Sequence, residues 1–472
     1  MKRCLTLVLP LLATPFGIAA PGGPKDQPVL LDVQPAAAPV PALKYQLLPE
    51  VAEMNPGNAV PAYLKCWAEQ NNFFHNKEVV EERERLRSCP LTDIKPGSLK
   101  GYGGNALRQA DFAARLEYAD WNILPQFREQ GYMLLIPEVQ QIRALATALH
   151  VRGRGQIVDR DFDGAVGTLK TIFAISRHLG EHPTIISGLV GLAIAQIGCN
   201  LLEELVQQPG APNLYWALAG LPTPLVDMRK AASAERSMWS YGMFDKTRAW
   251  TPDYMRAMTQ QLGLVEGAFG VRFFASILEL PAEDRVAAEK WMQARATDAE
   301  WLTAARKGLT EAGYPADAVA TYPPQQVVVH HVLRKALLHN DEGLKWVMVP
   351  YWQAEAGLAE LQKVPPEIED KLASRLGIAV PKVMAAHARL EQRLAMLRIA
   401  EAVRLDASKN GGKLVTRLND LSVPVPVDPV SGKAFEYKVD GITAVLSGKS
   451  TPILTPTISG RWYHKYEIRL RK

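Results

Sequence analysis

Residues 390–446 read LEQRLAMLRIAEAVRLDASKNGGKLVTRLNDLSVPVPVDPVSGKAFEYKVDGITAVL. Within them the hydrophobic period changes from that of a helix to that of strands. Leu390, Leu394 and Leu397 share one helical face, Ala400, Val403 and Ala407 continue it, and Asn410-Gly411-Gly412 supplies a left-handed stop. Leu418 and Leu421 pack a short turn ahead of Pro424 and Pro426. A second turn, Asp428-Pro429-Val430-Ser431-Gly432, leads into Phe435, Tyr437 and Val439, which alternate with Glu436 and Lys438. Asp440-Gly441 is a tight hairpin signal joining this strand to Ile442, Ala444 and Leu446. A last strand over 462–470 places Trp462, His464, Tyr466, Ile468 and Leu470 on one face. The stretch 381–472 is therefore expected to be a helix with a small antiparallel sheet.

Upstream, residues 42–380 read as a body of helices broken by Pro and Gly, with almost no strand signal. Helices are expected at 58–73, 77–87, 105–124, 137–158, 162–178, 184–206, 224–246, 253–264, 281–297, 298–312, 324–338 and 343–361, followed by 381–409. The fold class is mainly α, an irregular array of helical hairpins with a C-terminal α+β module.

Two parts of the chain resemble known families. Leu145, Ala148 and Leu149, a turn over 155–161, and then Phe162-Asp163-Gly164-Ala165 opening the next helix resemble a tetratricopeptide-type unit. The helix, Gly-Gly stop, Leu418-x-x-Leu421, proline pair, Asp428-Pro429-x-Ser431-Gly432 turn and aromatic strand look like the globular part of type II secretion pseudopilins. That resemblance implies a helix packed on a small antiparallel sheet. It does not carry the assembly role, because the family's hydrophobic N-terminal helix corresponds here to an amphipathic helix near residue 390. Nor does it carry the calcium ion some of those proteins bind, since Ser447, Ser450 and Thr451 offer no carboxylate.

The beginning of the chain sets an expectation about compartment. Lys2 and Arg3 precede an apolar run over 5–18, and Gly17-Ile18-Ala19 gives small residues at a cleavage position. A signal peptide over 1–19 is expected, with export to the periplasm or cell envelope, or secretion. Cys4 leaves with it. Residues 20–41 hold six prolines and read as a linker. The formal charge of +5 falls near +3 once Lys2 and Arg3 are removed, which implies no nucleic-acid partner. Of the remaining cysteines, Cys66 and Cys89 could bridge in an oxidising compartment, and Cys199 reads as a buried small hydrophobe.

Five local patterns invite a chemical reading. His178-Leu179-Gly180-Glu181-His182 fits the H-x-x-E-H spacing of inverted zinc peptidases, but Gly180 lies inside it and Pro183 follows, which places His182 at a helix end. Asp159, Asp161, Asp163 and Gly164 match the first half of a calcium loop, yet its twelfth position is Lys170, so the turn and N-cap reading prevails. Gly448-Lys449-Ser450 ends like a phosphate loop but lacks the leading glycine and a following helix. Residues 184–202 carry no formal charge and are long enough to span a bilayer, but Gln196 and Asn200 on one face and Gly188, Gly191, Ala195 and Gly198 fit a buried soluble helix. His330-His331 has no third ligand nearby and reads as one core and one surface histidine.

No catalytic, cofactor-binding or metal residue is assigned, and no cofactor is expected. The reading is a non-catalytic binding or scaffolding module with a protein partner and no integral membrane segment after signal cleavage. The alternative is a periplasmic metal-dependent hydrolase using His178, Glu181 and His182.

Overall fold

The computed structural model describes residues 28–451 and 465–471, apart from residues 69, 132–133, 239, 242–243, 255–281 and 364. The expected signal segment, Trp462, His464 and most of the helix expected at 253–264 lie outside the described residues.

Seventeen α-helices are described: α1 Ala59–Ala68, α2 Asn71–His75, α3 Lys77–Ser88, α4 Gly104–Ala113, α5 Leu124–Gln130, α6 Pro137–Val158, α7 Phe162–Gly180, α8 Ile185–Val206, α9 Tyr215–Ala219, α10 Arg229–Met238, α11 Ala282–Thr297, α12 Ala299–Glu311, α13 Ala316–Thr321, α14 Pro324–Leu344, α15 Tyr351–Glu360, α16 Ile368–Leu376 and α17 Val380–Lys409. The strands are β1 Val29–Val33, β2 Asn55–Asn58, β3 Leu116–Tyr118, β4 Glu436–Asp440, β5 Thr443–Ser447 and β6 Lys465–Leu470. The mainly helical class with a small C-terminal sheet is what the chain forms. The helix expected over 105–124 stops at Ala113, and Leu116–Tyr118 instead pairs in parallel with Asn55–Asn58.

Residues 28–33 correct the linker reading. The sheet runs β1-β6-β5-β4, with β6 antiparallel to β5 and β5 to β4, but β1 parallel to β6. The sheet is thus mixed, and an N-terminal strand forms one edge of it. Leu31 and Val33 are fully buried in it, which outweighs the prolines that flank them. The segment that follows is pinned as well. The Ala36 N–H donates to the Arg404 carbonyl (3.1 Å), and Arg404 donates to the Gln34 carbonyl (3.0 Å). Along β6, Tyr466, Ile468 and Leu470 face the core as the alternation predicts, and Ala444 and Leu446 do so from β5. Ile442 is exposed, because Gly441 and Ile442 form the two-residue hairpin loop between Asp440 and Thr443.

The main core is a layer of α6, α7 and α8 closed by α17 and the sheet. α8 is the one described helix long and apolar enough to cross a membrane, and here most of it is buried inside the protein. Thr184 caps its start by accepting from the Ser187 N–H (3.3 Å). A second core gathers Phe244, Trp250, Ala288 and Met292 against α14 and α16. A third packs α12 and α13 on Tyr322. The expected single body over 42–380 is therefore built around several cores, and α14, whose Leu344 reaches the main core, joins them.

One buried polar cluster ties helix, helix and sheet together. The Arg393 guanidinium on α17 is fully buried and donates to Glu203 of α8 (2.9 Å), to the Gln196 side chain and carbonyl (2.6 and 3.2 Å) and to Asn200 (2.7 Å). The Tyr466 hydroxyl of β6 donates to the same Glu203. The turn-spaced Gln196, Asn200 and Glu203 form a polar stripe along a mostly apolar helix, whose neighbouring Glu204 pairs instead with Arg154 (2.9 Å). The stripe exists because an ion pair in this setting survives only when every group around it is hydrogen-bonded.

Close approach of α7 and α8 fixes Gly191. The Ser176 hydroxyl donates to the Gly191 carbonyl (2.8 Å), and a Cβ at residue 191 would lie 2.9 Å from the Ser176 carbonyl oxygen. Gly191→Arg is expected to unfold the body, since an unpaired buried charge costs several kcal/mol against a total stability of roughly 5–15 kcal/mol. Gly167→Arg, on α7 where a side chain meets open space, should melt cooperatively near the wild-type temperature. Circular dichroism melts of both variants check this.

Candidate functional site

His178, Glu181 and His182 sit where α7 ends and the chain turns into α8. α7 closes at Gly180, Glu181 is its C-cap, and His182 lies beyond the helix. Three residues that need one continuous helix to converge on an ion are therefore split across its end. His178 Nδ1 shares a hydrogen bond with the Tyr63 hydroxyl of α1 (2.8 Å). Glu181 accepts from the Ala119 N–H (3.3 Å). His182 Nδ1 shares a hydrogen bond with the Thr184 hydroxyl (3.0 Å), while its ring meets Trp121 edge-on at 5.1 Å. The three side chains thus point to three different partners. Among the described residues no group of three His, Cys, Asp or Glu is placed to hold a metal ion.

The electrostatics follow from burial. Desolvation pushes His178 down to about 4 and His182 down to about 3, with Arg177 and Lys230 adding smaller effects of the same sign. His178 is therefore neutral at pH 7 and takes no charge-dipole benefit from the helix end. Across the start of α8, Glu235 of α10 accepts from the Ile185 N–H (3.1 Å) and is pushed up to about 7 by burial. These are capping groups sealed under neighbouring helices, not groups facing a cleft.

The calcium-like loop is taken apart in the same way. Asp159 accepts from the Gly97 N–H (2.6 Å), Asp161 caps α7 through the Gly164 N–H (2.9 Å), and Asp163 takes the Tyr45 hydroxyl (2.6 Å) and Lys44 (3.3 Å). Lys170 pairs with Glu53 at 2.6 Å. The turn and N-cap roles are the ones these residues perform. Gly155, which the sequence places both in the 137–158 helix and in the turn over 155–161, lies inside α6, and a Cβ there would be 2.7 Å from Leu99 Cβ. Beside this turn lies an open cleft of about 270 Å³ lined by Lys100, Gly101, Arg108, Arg152, Asp159 and Asp161. Arg152 is held by Asp111 in a two-pronged pair (2.8 and 2.8 Å), so charge in the cleft nearly cancels.

Of the consecutive histidines, His330 is in a core as expected, while His331, expected at the surface, is partly covered by Trp301. His330 is fully buried in a box of Trp250, Tyr314 and Tyr322 and is pushed down to about 4 by desolvation. His331 is half-buried and bonds Glu369 (2.7 Å). Cys66, Cys89 and Cys199 are all free thiols, so the Cys66–Cys89 bridge left open by the sequence is not formed. Burial pushes the Cys199 thiol up to about 12.

Another buried polar network is the Asp428 turn. Its carboxylate, 1% exposed, accepts from Gln392 Nε2 (2.8 Å), the Val430 N–H (3.0 Å), the Ser431 hydroxyl (2.8 Å) and the Lys449 N–H (2.9 Å). Gln392 also donates to the Lys449 carbonyl (2.9 Å). The phosphate-loop fragment at 448–450 thus closes a turn, and a Cβ at Gly448 would lie 2.4 Å from Gln392 Nε2, displacing the amide that holds Asp428 and the Lys449 carbonyl. Sequence reasoning missed Arg393, Glu203, Glu401 and Arg404. The turn-spaced polar stripe on α8 was the available signal for the first two. Comparison with family models, curated proteins and solved structures returns no match for this chain.

Two outcomes follow. Gly432 has φ +68°, and a Cβ there would lie 2.7 Å from the Trp352 ring. Gly432→Val should destabilise the C-terminal module by about 1–3 kcal/mol or more and open it to proteolysis near Gly411, while Lys433→Ala on the exposed side leaves it resistant.

The second outcome concerns acid. His182 has a folded value below its unfolded 6.5, so the unfolded state binds more protons under pH 6.5. Its contribution is complete above pH 6.5 and is lost as pH falls toward about 3. Glu235 has the opposite sign: its contribution is complete below about 4.5 and is lost as pH rises through about 7. His182→Gln removes only the first, so urea titrations should show wild type losing stability relative to the variant by about 1.4 kcal/mol per pH unit below 6.5.

Proposed function

We propose that this chain is an exported, non-catalytic module that binds or scaffolds a protein partner in the periplasm or cell envelope. The observation that carries the reading is the divergence of His178, Glu181 and His182 onto Tyr63, Ala119 and Thr184. The groups best suited to acid–base or metal chemistry are spent on capping and packing. Tetratricopeptide-like pairing of α6 with α7 supports a binding role. The pseudopilin-like resemblance of the C-terminal module is supported by the four hydrogen bonds that Asp428 collects in its turn. The parallel β1 departs from a purely antiparallel sheet.

The test is the metal content of the full chain purified from an envelope fraction, before and after incubation with zinc. The expected result is no stoichiometric zinc and unchanged content in a His178→Ala/His182→Ala variant. One zinc per chain, lost in that variant, would establish the metal-dependent hydrolase instead.

A further inference from the structure

The two edges of the C-terminal sheet are treated differently. On β1 the Asp32 N–H is taken by the Gln207 side chain (3.1 Å), so that edge is partly closed by the end of α8. On β4 the outer backbone groups have no backbone partner among the described residues, and β5 covers one side only. Tyr437 and Val439 turn inward, while Glu436, Lys438 and Asp440 are exposed. None of these three charges forms an ion pair with a described residue, although charged groups elsewhere on the surface, such as Lys449 with Glu355, do.

We infer that β4 is an interface for a second copy of this chain, paired antiparallel across a two-fold axis at Tyr437. The order of charges and the length of the strand together select that register: charge rejects a centre at Lys438, and strand length rejects one at Val439, where Lys438 would also meet Asp440. With Tyr437 opposite its own copy, Glu436 of each chain lies directly across from Lys438 of the other, giving two attractive pairs on the exposed face. Centring on Lys438 sets Glu436 against Asp440 twice and Lys438 against itself, so every facing pair repels. Centring on Val439 runs the pairing into Gly441 and Ile442, where the hairpin turns back. Charges on an edge usually prevent pairing. Here their alternation excludes one register and favours another, and the product is a continuous eight-stranded sheet built from two four-stranded ones.

Sedimentation equilibrium of the full chain tests this. The wild type is expected to show a monomer–dimer equilibrium that weakens as salt is raised. Lys438→Glu places acid opposite acid twice and should weaken the dimer by about ten-fold or more. Glu436→Lys combined with Lys438→Glu exchanges the signs and should restore association to within about three-fold of wild type. Both positions are exposed, so a circular dichroism melt matching wild type confirms that each variant is folded. A wild type that stays monomeric at all concentrations, a Lys438→Glu variant that dimerises as wild type does, or a double exchange that fails to restore pairing each overturns the interface.

Discussion

The fold depends on one buried guanidinium. Arg393 enters the protein from α17 and meets Glu203, Gln196 and Asn200 of α8, and Tyr466 brings β6 to the same carboxylate. Charges removed from water this completely are tolerated only as a complete set. The set is supplied by three elements remote from one another in sequence. The C-terminal module therefore does not sit beside the body as a separate unit but shares its core. Arg404 and Glu401, three residues apart on α17 and both nearly fully buried, repeat the device one step along by fixing 34–36 and 211–214. The apolar length of α8 makes these polar anchors necessary, because an all-apolar helix has little to set its register against its neighbours.

Much of this was legible in the chain. Helices α6 and α8 fall within a residue of the boundaries their periodicity and caps announce, and α11 and α12 begin within one residue of theirs. These are segments in which local signals agree with burial. The failures arise where tertiary contact overrides the local signal. Val29–Val33 sits among prolines in a segment with linker composition, and only β6, more than four hundred residues later, gives it a partner. The helix expected to run to 124 yields at Ala113 because Leu116–Tyr118 finds a parallel neighbour in Asn55–Asn58. Gly155 falls where the helix and turn readings overlap, and nothing local reveals its contact with Leu99.

The candidate site shows the same division. Gly180 and Pro183 were enough to show that His178, Glu181 and His182 could not share one helix, and the structure puts His182 beyond the helix end. What the sequence could not supply was the identity of the groups that claim them: Tyr63, the Ala119–Trp121 segment and Thr184 come from three places in the chain. The Asp428 turn was legible as a turn, but its role as a hydrogen-bond hub needed Gln392 and Lys449, which only folding brings to it.

The parallel pairing of β1 with β6 has a mechanical consequence. In parallel neighbours the start of one strand and the end of the other lie at opposite ends of the ladder. Tension applied between the two ends of the chain is therefore carried along the strands as shear, loading their hydrogen bonds together rather than one after another. The helical body lies within the loop that this clasp closes and stays unloaded while the clasp holds. Force transmitted through the termini would meet its resistance in a ladder of five residue pairs, Val29 with Tyr466 through Val33 with Leu470, before it reached the cores behind it.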